Sequence, residues 1–289
     1  MEKTGEKLQY FGLKGMYNPF LIEEMDKALL RIAKAINNRE KIVLYGYYDV
    51  DSIVGMSVML LVLRYLNADV EYFIPDDFCG SFEVNPHDVN EKIKYFGANL
   101  LITIGCGINS KENAILCKKL NIDAIVIDYH ESNNENDYAI VVNPNCKQSK
   151  YPFNELSISG MVFKVCEAIS MYYQMKCVNK YLDLATIGII HKCNKLYGEN
   201  KIMSSEGISR IKMTNNHGIK ALMKLKSIEA VNVDTVRILS EAVNPRVNAV
   251  GKMDNARIIV ELFTTGDSYK AEQIAKYLGN EDKLREEFL

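Results

Sequence analysis

Residues 41–55, KIVLYGYYDVDSIVG, decide the fold of this chain of 289 residues. They begin with an apolar run, 42–45, that has the length and the β-branched content of a buried strand. The run breaks at Gly46, two acids follow at Asp49 and Asp51, and an apolar pattern of helical spacing comes next. Open α/β sheets place their ligands where a strand ends and turns into a helix. Two carboxylates on one turn favour a cation between them, usually a metal ion, although a solvated, helix-capping turn uses the same residues.

The composition favours a globular protein of the cytoplasm. Hydrophobic residues make up 48% of the chain and charged residues 25%, which is enough for a buried core. The net charge of -2 excludes a global basic footprint for nucleic acid but leaves room for local patches. The 7 cysteines form no CxxC pair, which indicates reduced thiols. No stretch resembles a signal peptide or an apolar membrane span of ~18 residues, so we expect a cytoplasmic protein without a membrane partner.

Alternating strand and helix patterns fill the first half of the chain. Apolar runs with strand character lie at 41–46, 70–75, 100–104, 124–128 and 139–142. Helical patterns separate most of these runs, which predicts an α/β fold with a parallel sheet of about five strands and helices on both faces. Because parallel strands end at one edge of a sheet, the polar residues after them are expected to converge there.

The pattern changes after residue 155. Apolar residues then recur at helical spacing, which predicts a mostly helical second half and a long C-terminal linker helix. The predicted segments are an α/β core at 1–155, a helical part at 156–253 and the linker helix at 254–289. Within the last segment, Gly266 is expected to separate two helical stretches.

Short motifs follow one another in a fixed order along the chain. They are YDVD at 48–51, IPDD at 74–77, ITIGCGI at 102–108, IDYHE at 127–131, VNPN at 142–145, LSISGMVFKV at 156–165 and NPRVNAVGKMDNARIIVELF at 244–263. This ordered set resembles the RecJ-like branch of the DHH phosphoesterase superfamily over nearly the whole chain. The resemblance implies an exonuclease core specific for single-stranded DNA. It also implies two manganese ions that activate a water molecule against a phosphodiester.

The sequence departs from the family pattern where that pattern has its metal ligands. Three acids and one histidine of the pattern are replaced, at Tyr47, Gly105, Tyr129 and Lys192. A glycine and an arginine of the pattern are also replaced, at Ser52 and Asp77. An active enzyme would have to explain the glycine at 105 and the lysine at 192 in particular.

The candidate ligands that remain from the family pattern are Asp49, Asp51, Asp128 and His130. Carboxylates supply most of the affinity of a two-metal site, so this set is too small for two divalent ions. We therefore expect a vestigial site with no catalytic residue and no cofactor. The ammonium of Lys192 is expected to pair with Asp49 and Asp51 in place of a metal, unless it is a solvent-facing helix residue. His130 is a ligand in one interpretation and a hydrogen-bonded structural residue in the other.

Two segments are candidates for phosphate contacts. Ser159 and Gly160 open a predicted helix whose backbone N–H groups could take an anion, and ordinary N-capping explains the same residues. Arg246, Asn248 and Lys252 match by type a family segment that lies near the active site and the DNA path. RecJ-like proteins continue into a DHH-associated domain, which we expect to be absent here, so we do not expect a closed groove around DNA.

Three functions remain open at this point. The leading one is a catalytically inactive homologue kept as a binding or assembly module in DNA replication or repair. It would bind single-stranded DNA or a nucleotide weakly and would have a protein partner. The second is an active exonuclease or phosphoesterase with an altered site that uses Mn or Mg. The third is a nucleotide-binding regulatory module without turnover.

Overall fold

A parallel sheet organises the chain. The computed structural model describes residues 13–75, 83–107, 111–130, 138–147, 149–245 and 255–286. Within these ranges the strands are β1 (Ile42–Gly46), β2 (Val70–Phe73), β3 (Leu100–Ile104), β4 (Asp123–Ile127) and β5 (Ile140–Val142). Each neighbouring pair is parallel and the order is β2-β1-β3-β4-β5. The prediction of a parallel sheet of about five strands is confirmed.

Helices make up most of the remaining described chain. Those of the first half are α1 (Met25–Asn38), α2 (Val50–Tyr65), the short α3 (Pro86–Asp88) and α4 (Lys111–Lys119). Those of the second half are α5 (Ile158–Tyr172), α6 (Leu182–Lys192), α7 (Gly198–Ile211), α8 (His217–Leu225), α9 (Val233–Glu241), α10 (Asn255–Thr264) and α11 (Ser268–Glu286). The prediction of a mostly helical second half is therefore confirmed.

Both faces of the sheet are covered. On one face, α2 packs against α5, α6 and α10, and every residue from Val50 to Leu60 is buried. A helix that is apolar nearly all round has to be covered on all sides, and these neighbours cover it. On the other face, Val43 and Tyr45 of β1 pack in a second cluster with Ala114 of α4. Helices on both faces are therefore confirmed.

The register of the sheet aligns the ends of three strands. Gly46 of β1 pairs with Ile104 of β3, and Ile104 pairs with Ile127 of β4. The chain leaves the sheet directly after these residues. The next residues along the chain are Tyr47, Gly105 and Asp128. This strand-end edge is where the candidate site residues meet.

The C-terminal segment, predicted as a linker helix with a break at Gly266, forms two helices. α10 and α11 are separated at 265–267, which agrees with the break predicted at Gly266. α10 packs on α2 and α8, and α11 packs on α8. This packing buries Ile259 and Leu262 of α10 and Ala271 of α11. The main apolar core extends from Met16 into α11, so the three predicted segments share it. Among the described residues no helix has both the length and the apolar character to cross a membrane.

Candidate functional site

The two acids of the turn after β1 have different environments. Asp49 is the N-cap of α2, and its Oδ1 accepts a hydrogen bond from the backbone N–H of Ser52 at 2.7 Å. This contact satisfies one of the free donors at the start of the helix. Asp51 lies in the first turn of α2 and is only 2% exposed. The helix-capping interpretation therefore describes Asp49, whereas Asp51 has another role.

The carboxylate of Asp51 caps the amino-terminal end of α5. Its Oδ2 accepts from the backbone N–H of Ile158 at 2.7 Å. Its Oδ1 accepts from the backbone N–H of Ser159 at 2.9 Å and from the hydroxyl of the same residue at 2.5 Å. Burial and the charge of Asp49 raise the pKa of Asp51, although these hydrogen bonds act in the opposite direction. The carboxylate of Asp51 thus occupies the anion position at the start of α5.

This contact changes the interpretation of Ser159 and Gly160 as phosphate contacts. The donors of Ser159 go to Asp51, and the backbone N–H of Gly160 donates to Ser157 Oγ at 3.1 Å. Because these donors have internal acceptors, a phosphate here would have to displace Asp51. The close approach of α6 to Asp51 depends on Gly188, because a Cβ at this position would lie 2.8 Å from Asp51 Oδ1.

Gly105 leaves β3 with a backbone conformation that favours glycine. Its φ is +71°, in the left-handed region. A Cβ built on Gly105 would overlap the hydroxyl of Ser52 and would lie 3.4 Å from Ile158 Cγ1. That hydroxyl is buried, and it has no hydrogen-bond partner within the described chain. Ser52 therefore occupies the space into which a side chain at position 105 would project.

Asp128 and His130 form a pair at the end of β4. Oδ1 of Asp128, a residue that is 4% exposed, lies 2.7 Å from His130 Nδ1 and accepts from the backbone N–H of Tyr129 at 2.8 Å. The hydrogen bond to Asp128 raises the pKa of His130 and outweighs the opposite effect of burial. Asn143 supports this loop by donating to the carbonyl of His130 at 2.8 Å. Asn145 likewise donates to the carbonyl of Tyr129 at 2.6 Å.

Lys192, the last residue of α6, lies over the ring of Tyr129. Its Nζ is 5.1 Å from the ring centroid, which is a cation–π distance. Burial lowers the pKa of Lys192, but Tyr129 and the charges of Asp49 and Asp51 raise it by more. The structure corrects the expected ion pair with these two acids, since no carboxylate of the described residues pairs with this ammonium. Both acids cap helices instead, and they act on Lys192 only at longer range.

A pair of tyrosines follows β1 at the same edge. The rings of Tyr47 and Tyr48 are stacked with their centroids 4.1 Å apart, and their hydroxyls are 2.9 Å apart. Tyr48 is buried, and Tyr47 is half-buried. Position 47 therefore contributes an uncharged phenol where the family pattern has an acid.

The residues of this edge do not fit a pair of divalent ions. Such a site uses about four or five protein ligands, mostly carboxylates. Asp51 is engaged by α5 and Asp128 by His130, while positions 47, 105 and 129 contribute neither carboxylate nor imidazole. Lys192 adds a positive charge. Over the ranges that the structure describes, no three His, Cys, Asp or Glu side chains are grouped so that they could hold a metal.

Some predicted positions cannot be placed, and some contacts were not foreseen. The residues outside the described ranges are Asp77, Arg246, Asn248 and Lys252. The phosphate contacts expected of the last three therefore stay predictions. The supporting roles of Asn143 and Asn145 were not predicted, although their position after a predicted strand was a signal for them. No sequence signal pointed to the contact between Ser52 and Gly105.

Comparison with known proteins gives the class. The family model described as "DHH family, N-terminal domain" matches residues 41–189, just over half of the chain. The chain therefore belongs to the DHH family, as the order of its motifs predicted.

Within that family the chain is RecJ-like. The single-stranded-DNA-specific exonuclease RecJ of Bacillus subtilis (strain 168) is 36% identical over 276 residues, which cover 94% of this chain and 34% of that protein. A manganese-bound exonuclease RecJ has the same fold with a TM-score of 0.81 at 22% identity, over 96% of this chain and 68% of that one. The Mn²⁺ complex of RecJ from Thermus thermophilus gives 0.76 at 23% identity, over 97% of this chain and 39% of that one. The chain thus spans about a third to a half of the length of the curated relatives that it matches.

Proposed function

We propose that this RecJ-like chain is a catalytically inactive member of its family, retained as a binding or assembly module in DNA replication or repair. One observation carries the proposal: the ammonium of Lys192 lies at the strand-end edge, at a position where the family pattern has a carboxylate. A two-metal phosphoesterase holds its ions through carboxylates, and a cation at that edge repels them. Lys192 is an exposed residue, as the solvent-facing alternative predicted, and its ammonium lies over Tyr129. Tyr47, Gly105 and Tyr129 remove three further ligands.

The negative charge at this edge is compensated in part by positive side chains. The acids are Asp49, Asp51 and Asp128, and the same edge carries Lys192 and His130, whose pKa values are both raised. Divalent ions bind where several carboxylates leave negative charge uncompensated. Lys192 and His130 place positive charge where a metal site would need negative charge, which supports a site without metal chemistry.

Single-stranded DNA is the ligand that we propose. The Bacillus subtilis relative is named a single-stranded-DNA-specific exonuclease, and we extend binding, without cleavage, to this chain. The net charge of -2 argues for weak binding, because affinity for nucleic acid depends on phosphate neutralisation. Arg246, Asn248 and Lys252 are the proposed phosphate contacts. A protein partner in replication or repair and a cytoplasmic location belong to the same proposal.

An active metal-dependent phosphoesterase is the second candidate. Asp49, Asp128 and His130 lie at one edge of the sheet, and solved RecJ structures of similar fold are bound to Mn²⁺ or Mg²⁺. This candidate requires that Asp128 gives up its hydrogen bond to His130 and that Lys192 leaves the ring of Tyr129. These two rearrangements are what make it the less favoured candidate.

One assay separates the two candidates. A fluorescently labelled single strand is mixed with the protein in EDTA and in Mn²⁺, and anisotropy and strand length are both followed. The inactive module gives the same weak binding in both solutions and leaves the strand intact. Shortening that needs Mn²⁺ and disappears in the Asp49→Ala/Asp128→Ala protein would establish the second candidate. Absence of binding in both solutions would remove single-stranded DNA from the proposal.

A further inference from the structure

A cavity lies at the opposite end of α6 from the strand-end edge. Its volume is about 530 Å³, and Asp183, at the start of α6, is in its lining. Lys192 is the last residue of the same helix. At 1.5 Å per residue, the two positions are roughly 14 Å apart along the helix axis. The cavity is therefore separate from the vestigial site.

One part of the lining is apolar. Leu61 of α2, Leu184 of α6 and Phe263 of α10 line this part. Met213, in the turn after α7, also contributes and is 80% exposed. Most of the other lining residues are polar.

Basic side chains line another part of the cavity. Lys180 lies over the rings of Tyr65 and Tyr181, at 5.2 and 4.8 Å from their centroids, and no carboxylate pairs with it in the described ranges. Arg210 Nη2 lies 2.6 Å from Glu206 Oε1, and the buried Nε of Arg210 has no hydrogen-bond partner within the described chain. Lys180 therefore lacks an ion-pair partner there, and Arg210 has an Nε–H group without an acceptor.

The acid in this lining is already engaged. Asp183 Oδ2 accepts from the hydroxyl of Thr214 at 2.5 Å, and its Oδ1 accepts from the backbone N–H of Leu184 at 2.7 Å. Burial raises the pKa of Asp183, although its two hydrogen bonds and the charges of Arg210 and Lys180 act in the opposite direction. His217, the first residue of α8, also lines the cavity. The lining thus carries the two cations Lys180 and Arg210 against one acid, Asp183, whose oxygens already accept hydrogen bonds.

We propose that this cavity binds a phosphorylated small molecule of mononucleotide size. Lys180 and Arg210 hold the phosphate, because ammonium and guanidinium groups form charge-assisted hydrogen bonds to phosphate oxygens. The ring packs against the apolar part of the lining. The volume lies within the range of about 300–1,000 Å³ that is typical of small-molecule sites. Nothing in this binding depends on metal or on the strand-end edge.

Calorimetric titration of the whole chain with AMP tests the proposal, with adenosine and inorganic phosphate as partial ligands. AMP should bind with a saturable isotherm, and each partial ligand should bind at least about tenfold more weakly, because it reaches only one part of the lining. Lys180→Ala and Arg210→Ala should each weaken AMP binding by roughly tenfold or more. Lys212→Ala is the matched control, because this exposed lysine follows α7 without lining the cavity.

Further controls keep the result interpretable. Circular dichroism and melting temperature establish that each variant is folded, and Arg210→Lys, which keeps the charge, should retain part of the affinity. The Asp49→Ala/Asp128→Ala protein should bind AMP like the parent. Absence of saturable AMP binding at millimolar concentration would overturn the proposal. Binding that persists in Lys180→Ala and Arg210→Ala, or that is lost in the double aspartate variant, would overturn it as well.

Discussion

Ser52 and Gly105 share one space at the strand-end edge. The buried hydroxyl of Ser52 lies where a Cβ at position 105 would be, and the backbone of Gly105 is in the left-handed region. The family pattern has the opposite arrangement, with a glycine at the first position and an aspartate at the second. The two replacements are complementary, because the serine excludes the carboxylate that a metal site would use.

This relationship predicts a coupling between two substitutions. Gly105→Asp should lower the free energy of unfolding by roughly 2–4 kcal/mol, from overlap with Ser52 and from the strained backbone. In a Ser52→Gly protein the same change should cost at least about 1 kcal/mol less. Urea unfolding of the four proteins of the cycle measures the difference. Equal costs in both backgrounds would show that the two side chains do not compete.

Asp51 should be much more important for stability than Asp49. Asp51→Ala leaves two buried backbone N–H groups without an acceptor, whereas the hydroxyl of Ser159 keeps the carbonyl of Ala185, so we expect a loss of about 2–4 kcal/mol. Asp49→Ala removes one N-cap and should cost about 1 kcal/mol. Urea unfolding of both variants provides the comparison, with Asp49→Ala as the matched control. Similar losses in the two variants would contradict the assigned roles.

Lys192 should contribute little to stability, because it interacts with a ring and has no carboxylate partner in the described chain. Lys192→Ala is expected to cost about 0.5–1 kcal/mol. Exposed Lys195, replaced by alanine, is the control and should have almost no effect. Thermal melts of both variants measure this. A loss of about 3–5 kcal/mol in Lys192→Ala would instead indicate the buried ion pair expected from the sequence.

A buried ionic cluster on α5 provides a test of pH dependence. The side chain of Lys164 is fully buried, and its Nζ is 3.1 Å from both Glu167 Oε2 and Glu199 Oε1. Glu199 also accepts from the Tyr151 hydroxyl at 2.5 Å and from the backbone N–H of Tyr17 at 2.9 Å. Burial raises the pKa of Glu167 against the effect of Lys164. The two glutamates therefore differ in how well their charge is compensated.

Glu167→Gln is predicted to leave the protein at least as stable near neutral pH, whereas Glu199→Gln should cost about 3 kcal/mol. The raised pKa means that the protonated form of Glu167 stabilises the fold. That stabilisation is complete below the ordinary pKa of 4.5 and is lost as pH rises through the folded value. The advantage of Glu167→Gln over the parent should therefore grow as pH rises from about 4 to about 7.5. Unfolding in urea across this range tests the sign, and a constant difference between the two proteins would contradict it.

Much of the sheet could be predicted because its signals are local. The apolar runs that became β1, β3 and β4 are continuous in the sequence, and the polar residues after them mark one edge. The direction of the Asp51 side chain could not be predicted in the same way. It depends on how closely α2 and α5 approach, which the residues of the turn do not encode. For the same reason the expected partner of Lys192 was wrong.

The cavity beside α6 shows another limit of sequence reasoning. Its lining comes from the ends of several helices that are far apart in the chain, such as Leu61, Arg210 and Phe263. No single motif contains these residues, so no pattern could indicate that they meet. The hydrogen bond from Thr214 to Asp183 likewise depends on the position of the turn between α7 and α8, which no local sequence pattern indicates.

If the proposed function is right, the ligand set of the family pattern should be restorable only as a unit. The rebuilt protein carries the five substitutions Tyr47→Asp, Ser52→Gly, Gly105→Asp, Tyr129→His and Lys192→Asp. Because metal ligands act together, single reversions should leave Mn²⁺ binding unchanged, and only the combination should create it. Manganese content after dialysis, measured by elemental analysis, compares these proteins. Stoichiometric manganese in a single reversion would show that one replacement alone accounts for the loss.

Titration of the purified parent chain with Mn²⁺ tests the central claim most directly, since that claim is the absence of a divalent metal site at the strand-end edge. The isotherm and the melting temperature are recorded for the parent and for Asp49→Ala/Asp128→Ala. A ligand that binds the native state stabilises it by mass action. We predict no saturable binding and no rise in melting temperature at millimolar Mn²⁺ in either protein. Saturable binding by the parent that disappears in the double variant would contradict the account.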